Sequence, residues 1–323
     1  MRRALLAALA LLLIAAGPAD RPVKAVAPGR LPVEQGQLAL YSSADLAQPH
    51  PAITRALVIF HGLLRNADAY YAEALKTVAK AGLSTETTLV VAPQFLARPD
   101  IAPHDLPPDV LVWGRDSWSD GKPALQPAPI SSYTAIDALI ARLEDRRLFP
   151  ALRSIVLAGH SAGAQTVQRY AAVGAGGADV RYVVANPSSY VYFTPARPET
   201  VTSCPGWNDW KYGFAGHLVP YITGRAADYE ARYVGRDVIT LLGTADTDPN
   251  HRLLDNTCAG EAQGPSRYAR GHAYFALLQA QAGPKLHQRL FDIPGVPHNE
   301  ARMFQSACGL YALFGTKGCA DAR

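Results

Sequence analysis

Residues 154–170 read SIVLAGHSAGAQTVQRY, and the reading of Ser161 within them decides the fold. A bare G-x-S-x-G arises readily by chance in a chain with 26 glycines, so the pentapeptide alone carries little weight. Its setting carries more. Ile155, Val156, Leu157 and Ala158 form an apolar run of strand type, and residues 164–175 read as a helix. A strand, a sharp turn and a helix are what a nucleophile elbow requires.

Working outward, residues 56–60 and 88–92 are compact apolar runs with helical character over 70–81 between them. The spacing of Ile136, Leu139, Ile140 and Leu143 predicts a helix over 131–147 that delivers the chain to the strand before Ser161. Residues 180–185, 238–242 and 290–293 continue the strand series, and a helix over 300–314 closes it. Strands alternating with helices imply an α/β domain with a central, mostly parallel sheet. Residues 20–35, rich in proline and charge, read as an extended lead-in. Residues 97–130 read as a long ordered loop carrying Trp113 and Trp118, and long loops in compact domains are usually functional. Between β-type runs, residues 186–236 form an insertion that contains Tyr190, Tyr192, Phe193, Trp207, Trp210, Tyr212 and Phe214. Those rings serve either as a satellite core or as a lid and substrate wall. Trp113 and Trp207 are the aromatic candidates for substrate contact.

Residues 1–19 stand apart from the fold. Arg2 and Arg3, an apolar stretch over 4–16 and the small residues Gly17, Pro18 and Ala19 make the three-part pattern of a secretory signal peptide. The apolar run is too short for a bilayer, which needs roughly 20 residues, so no stable membrane insertion is expected. Residues 20–323 are then expected to form one domain of a secreted or periplasmic protein. The formal charge of +4 includes Arg2 and Arg3, and no clustered Lys/Arg tract remains. Nucleic acid is therefore not an expected partner. Four cysteines in an exported chain favour two disulfides among three connectivities, and the expected pairing is Cys204 with Cys258 and Cys308 with Cys319. Their spacing lacks the paired C-x-x-C arrangement that zinc favours, and neither a metal nor a cofactor is expected.

A serine hydroxyl is a poor nucleophile at neutral pH and needs a general base and a group to orient that base. In a parallel α/β sheet the functional loops gather at the carboxyl ends of the strands, which filters the candidates. VITLLGTADTDP (238–249) places Asp246 and Asp248 just beyond a strand, whereas Asp237 precedes it. Asp246 is preferred because it comes first after Gly243, with Asp248 placed to cap a turn beside Pro249. The D-T-D-P-N spacing lacks the glycine and glutamate of a calcium loop. FDIPGVPHNE (291–300) sets His298 directly after the last strand, while His287 precedes that strand and His272 lies in a helical stretch. His160 adjoins Ser161 in sequence but must point away across the turn. The backbone amides of Ala162 and Leu63 are candidates for an oxyanion hole, the second because Gly62 in VIFHGLLRN (58–66) permits close backbone approach. Gly62, Arg65 and Asn66 are candidate substrate contacts in the same loop.

With His61-Gly62, GHSAG around Ser161, GTAD ending at Asp246 and PGVPH ending at His298, the chain resembles the α/β-hydrolase superfamily over roughly residues 55–315. The order Ser, Asp, His is that superfamily's order. The oxyanion segment departs from the HGGG form of many carboxylesterases. The resemblance implies a cofactor-free serine hydrolase acting through an acyl-enzyme, expected to cleave small-molecule or polymeric carboxylic esters. A peptidase or amidase of the same fold, and a non-catalytic binding protein on this scaffold, are the alternatives. Fold alone names no substrate.

Overall fold

The structure, a computed structural model, describes residues 20–177 and 179–319. The signal-peptide reading of residues 1–19 lies outside the described residues. Among the described residues ten strands appear in chain order: β1 (Gly29–Val33), β2 (Gly36–Ser42), β3 (Arg55–Phe60), β4 (Thr88–Gln94), β5 (Leu96–Ala97), β6 (Val112–Trp113), β7 (Ser154–His160), β8 (Val180–Ala185), β9 (Val238–Gly243) and β10 (Arg289–Ile293). Eight of them make one sheet in the order β1-β2-β4-β3-β7-β8-β9-β10, and β5 pairs with β6 separately. From β4 to β10 all neighbours are parallel, while β1–β2 and β2–β4 are antiparallel.

The side-chain period of two divides the sheet between two cores. Ala56, Val58 and Phe60 of β3 enter one apolar cluster, and Leu57 and Ile59 enter the other. Against the first face pack α2 (Ser132–Glu144), α3 (Ala162–Val173), α4 (Ala226–Val234) and α6 (Arg267–Ala282); against the second pack α1 (Ala67–Lys80), α7 (Glu300–Phe304) and α8 (Ala307–Phe314). Both faces of the central strands are covered, which is why β3, β4 and β7 read as unbroken apolar runs rather than alternating ones. Among the described residues no helix is long and apolar enough to cross a membrane.

Three expectations require correction. Residues 29–33 are not an extended lead-in but the edge strand β1, joined to β2 by a turn in which Glu34 takes φ 50°. Pro32 is tolerated there because an edge strand leaves one row of its backbone amides unpaired. The closing helix is two helices: Ser306 accepts the amide of Gly309 and starts α8 afresh. Thirdly, residues 97–130 are tied down by short helical turns at Arg98–Asp100, Ala102–His104 and Ser117–Asp120 and by the β5–β6 pair. Trp113 and Trp118 are wholly enclosed, each packed against Phe95.

Several rings of the insertion between β8 and β9 pack as a satellite core, while Tyr212 borders a cleft. Tyr190 stacks on Tyr274 of α6 with centroids 4.5 Å apart, and Phe193 stacks on Phe214 at 5.3 Å. Cys204 and Cys258 are bonded, joining this insertion to the short α5 (Cys258–Glu261), and Cys308 and Cys319 are bonded at the C-terminal end. The first bridge spans 54 residues and the second 11. Loop entropy then predicts that Cys204→Ser with Cys258→Ser costs about 4 kcal/mol and Cys308→Ser with Cys319→Ser about 3 kcal/mol. Urea midpoints of the two double variants check the order; a larger loss for the shorter loop would contradict it.

Candidate active site

The turn after β7 is shaped by two glycines. A Cβ on Gly159 would lie 2.3 Å from the carbonyl carbon of Gly163, and a Cβ on Gly163 would lie 2.3 Å from the carbonyl oxygen of Phe60. Helix α3 can therefore start against β7 and β3 only without those side chains. Ser161, between them, adopts φ 60° and ψ −123°, a conformation that costs a non-glycine residue about 1–3 kcal/mol. The surroundings hold it: its amide donates to the carbonyl of Ala185 at 3.0 Å, and its carbonyl accepts the amide of Gln165 at 3.1 Å.

The loops after β9 and β10 bring two further side chains to this turn. His298 Nδ1 donates to Asp246 Oδ2 at 2.7 Å, and the Ser161 hydroxyl donates to His298 Nε2 at 2.9 Å. This tautomer follows from the carboxylate, which can only accept. The two loops are fastened to each other, since the amide of Ala245 donates to the carbonyl of Val296 and the amide of Gly295 to Thr244 Oγ1. Asn186, in a left-handed conformation, accepts the amide of Gly243 at 2.9 Å and fixes the end of β9. Asp248 is exposed and accepts the amide of Asn250, and the backbone of His287 bonds to that of Val234 at the opposite edge of the sheet. His272 pairs with Asp292 on the surface of α6.

A buried guanidinium, absent from the sequence reading, supports this arrangement. Arg267 of α6 donates to Asp246 Oδ1 at 3.3 Å, to Ser188 Oγ at 3.1 Å and to His251 Nδ1 at 3.3 Å, with its side chain fully covered. The His251 ring stands edge-on to His298, and His160 lies beneath it with centroids 4.3 Å apart. Burial raises the pKa of Asp246, but the hydrogen bond from His298 and the positive charges beside it prevail, so the carboxyl lies below its ordinary range. For His298, burial lowers the pKa and the bond to Asp246 only partly restores it, leaving the imidazole below 6.5. His160 lies well below that value, mainly through burial.

The oxyanion candidates border the same space. Leu63, Ser161 and Ala162 line one cleft of about 400 Å³, and among the described residues neither the Leu63 nor the Ala162 amide has an acceptor within the chain. Gly62 lies beside Ser161, where an added Cβ would come within 3.8 Å of the serine Cβ and 3.0 Å of Tyr70 Oη. His61 holds this loop from within: its Nδ1 donates to the carbonyl of Gly62 and its Nε2 accepts the amide of Phe95.

Burial pushes the His61 pKa down to about 4 from 6.5. The folded state therefore binds its proton later than the unfolded chain as pH falls. Stability contributed by the neutral ring is fully present above pH 6.5 and is lost on acidification towards pH 4, by about 3 kcal/mol in all. His160 and His298 act in the same direction. Urea midpoints between pH 7.5 and 4.5 should fall in wild type and fall less in His61→Gln; a flat wild-type profile would refute this.

Four of the proposed substrate contacts lie elsewhere. Arg65 is enclosed in a bidentate ion pair with Asp100, at 2.9 and 3.0 Å, and ties the loop after β3 to the turn at Arg98–Asp100. Asn66 occupies the N-cap of α1 and does not line the cleft. Trp113 is sealed against Phe95, and Trp207 lies under the guanidinium of Arg197 at 4.9 Å, outside the cleft. An arginine or tryptophan in a polar, glycine-bearing loop reads as exposed, whereas here the loops fold over it. The cleft is bordered instead by Gln165, just past the GHSAG motif, and by Lys211, Tyr212, Arg252 and Asp255, which stand next to no motif in the chain.

The solved structures that resemble this one include two that align with TM-scores above 0.6. Poly(aspartic acid) hydrolase-1 from Sphingomonas sp. KT-1 aligns with a TM-score of 0.62 at 21% identity, covering 88% of this chain and 97% of that one. LpqC, a poly(3-hydroxybutyrate) depolymerase from Bordetella parapertussis, aligns with a TM-score of 0.64 at 22% identity, covering 91% and 92%. The chain has the α/β-hydrolase fold. No protein-family model and no curated protein sequence matches it. At such identities the likeness is one of architecture: this α/β-hydrolase-fold protein shares the sheet and its flanking helices with both structures, while each substrate belongs to the protein named for it.

Proposed function

We propose that this protein is a serine hydrolase that cleaves carboxylic esters through an acyl-enzyme. The observation that carries the reading is the chain of hydrogen bonds from Ser161 through His298 to Asp246, 2.9 and 2.7 Å long, opening on a cleft. Ser161 Oγ attacks the acyl carbon as His298 Nε2 takes its proton. The oxyanion that forms is received by the amides of Leu63 and Ala162, donors worth about 3 kcal/mol each to such a barrier. Collapse expels the alcohol, which leaves with the proton held by His298, and the acyl group stays on Ser161. Water then gives a proton to His298 and attacks the acyl carbon, and the acid departs as the proton returns to Ser161 Oγ. Asp246 keeps the imidazole in the required tautomer throughout, and Arg267 keeps Asp246 in place. The two disulfides, together with the N-terminal pattern, support a secreted or periplasmic location.

Labelling with a fluorophosphonate, followed by peptide mass mapping, tests the reading. The adduct is expected on Ser161, and a fully folded protein that resists labelling would overturn it. A second outcome concerns pH. Only neutral His298 accepts the serine proton, so kcat/KM on a short ester should fall on acidification through an apparent pKa below 6.5, the direction in which burial moves this imidazole. A half-maximal point well above 6.5 would exclude His298 as the base.

A further inference from the structure

The wall of the cleft beside Ser161 carries several hydrogen-bond donors. Gln165, four residues beyond Ser161 on α3, has its Oε1 engaged by Arg169 at 3.0 Å and by Ser189 Oγ at 2.9 Å. These two donors fix the amide, so its NH2 is the end left for the cleft. Lys211 reaches the same space from the insertion with only a fifth of its side chain exposed. It forms a long ion pair with Asp255 Oδ2 at 3.9 Å, beyond hydrogen-bond distance, and Asp120 adds a second negative charge in its surroundings. Asp255 is in turn occupied by Tyr212 Oη at 2.9 Å and Thr257 Oγ1 at 2.7 Å. Arg115 and Arg252 are exposed at the rim, with Asp116 beside Arg115. The apolar part of the lining is Leu63, Leu253, Leu254 and the methyl group of Ala162.

A long aliphatic chain would leave the Gln165 and Lys211 donors facing carbon, and an ammonium desolvated without an acceptor is costly. A carboxylate supplies a hydrogen-bond acceptor to both: to the Gln165 NH2, and to the Lys211 ammonium, whose own carboxylate partner stands beyond hydrogen-bond distance. We propose that the preferred ester carries a carboxylate close to the scissile bond, received by the Lys211 ammonium and the Gln165 amide. The substrates are then half-esters of short dicarboxylic acids, or chains with a free acid near the cleaved ester, rather than esters of fatty acids. This rests on Ser161 being the nucleophile, since it takes the scissile carbonyl to lie there. Lys211 acts as a specificity residue, outside the proton transfers.

Monoethyl succinate, diethyl succinate and ethyl pentanoate separate charge, carbonyl oxygen and chain length, and a pH-stat follows all three. Monoethyl succinate is expected to exceed both others in kcat/KM by about tenfold. Lys211→Met should lower its kcat/KM about tenfold and leave ethyl pentanoate within about twofold, while Lys211→Arg retains most of the preference. Equal or better turnover of ethyl pentanoate, equal turnover of diethyl succinate, or a parallel loss on all three esters in Lys211→Met would overturn the proposal. Calorimetry on Ser161→Ala gives a readout free of turnover: monoethyl succinate should bind more tightly than ethyl pentanoate, and Lys211→Met in that background should remove the difference. Absence of ester turnover with that binding preference intact would count against Ser161 as nucleophile and not against the carboxylate site; absence of the binding preference would count against the site itself.

Discussion

Replacing Ser161 by alanine is expected to lower kcat on short esters by about 10⁶-fold while leaving the unfolding midpoint close to that of the wild type. The two halves of that expectation have separate causes. Removal of Oγ takes away the atom that attacks, and a water activated by His298 in its place is not held in position against the acyl carbon. Alanine meanwhile keeps the Cβ, so the strained φ of 60° and the contacts of the turn persist. Asp246→Asn is expected to be milder, about 10⁴-fold, because an amide can hold the imidazole only in the wrong tautomer. Initial rates on a short p-nitrophenyl ester, with fluorophosphonate labelling in parallel, decide the matter. Ser161→Ala protein retaining a tenth of wild-type activity would remove Ser161 from the mechanism.

Gly163→Ala is expected to damage folding rather than chemistry, by about 3 kcal/mol or more. The new methyl group would stand 2.3 Å from the Phe60 carbonyl oxygen and 2.7 Å from that of His61. Both obstacles are backbone at the end of β3, so no side-chain rotation relieves them, and α3 must move away from the sheet. That shift would separate Ser161 from the Leu63 amide as well. Gly295→Ala is the contrasting case: nothing lies within 4 Å of the added carbon, and only the φ of 65° opposes it, a cost of about 1 kcal/mol. Urea unfolding of the two variants separates crowding from backbone strain. An unchanged midpoint for Gly163→Ala would show that the elbow is not packed as tightly as described.

The parts of the fold legible in the chain are those written in local pattern. β3, β4, β7, β8 and β9 are short apolar runs ending in turn residues, and the sheet buries them on both faces, so composition alone betrays them. β1 escaped because an edge strand with Arg30 and Pro32 has no such pattern; its place depends on β2, which presents the partner hydrogen bonds. The break at Ser306 escaped because Met303, Phe304, Leu310 and Leu313 keep a helical spacing across it. Arg65 and Trp113 were misplaced for a different reason, since burial depends on which distant segment covers a loop.

The candidate site divides the same way. Strand order and the direction of a parallel sheet were enough to single out Ser161, Asp246 and His298, because a loop directly after a strand must emerge at the carboxyl edge whatever the rest of the chain does. Arg267, Gln165 and Lys211 carry no such mark. Their roles arise when α6, α3 and the insertion close around one cleft, and whether an arginine there becomes a buried partner of Asp246 or a solvated surface charge is settled by packing. Local stereochemistry, which is short-ranged, thus determined the turn, the strands and the order of the three side chains. Long-range burial decided what surrounds them, because desolvation acts on every group within several ångströms regardless of its distance along the chain.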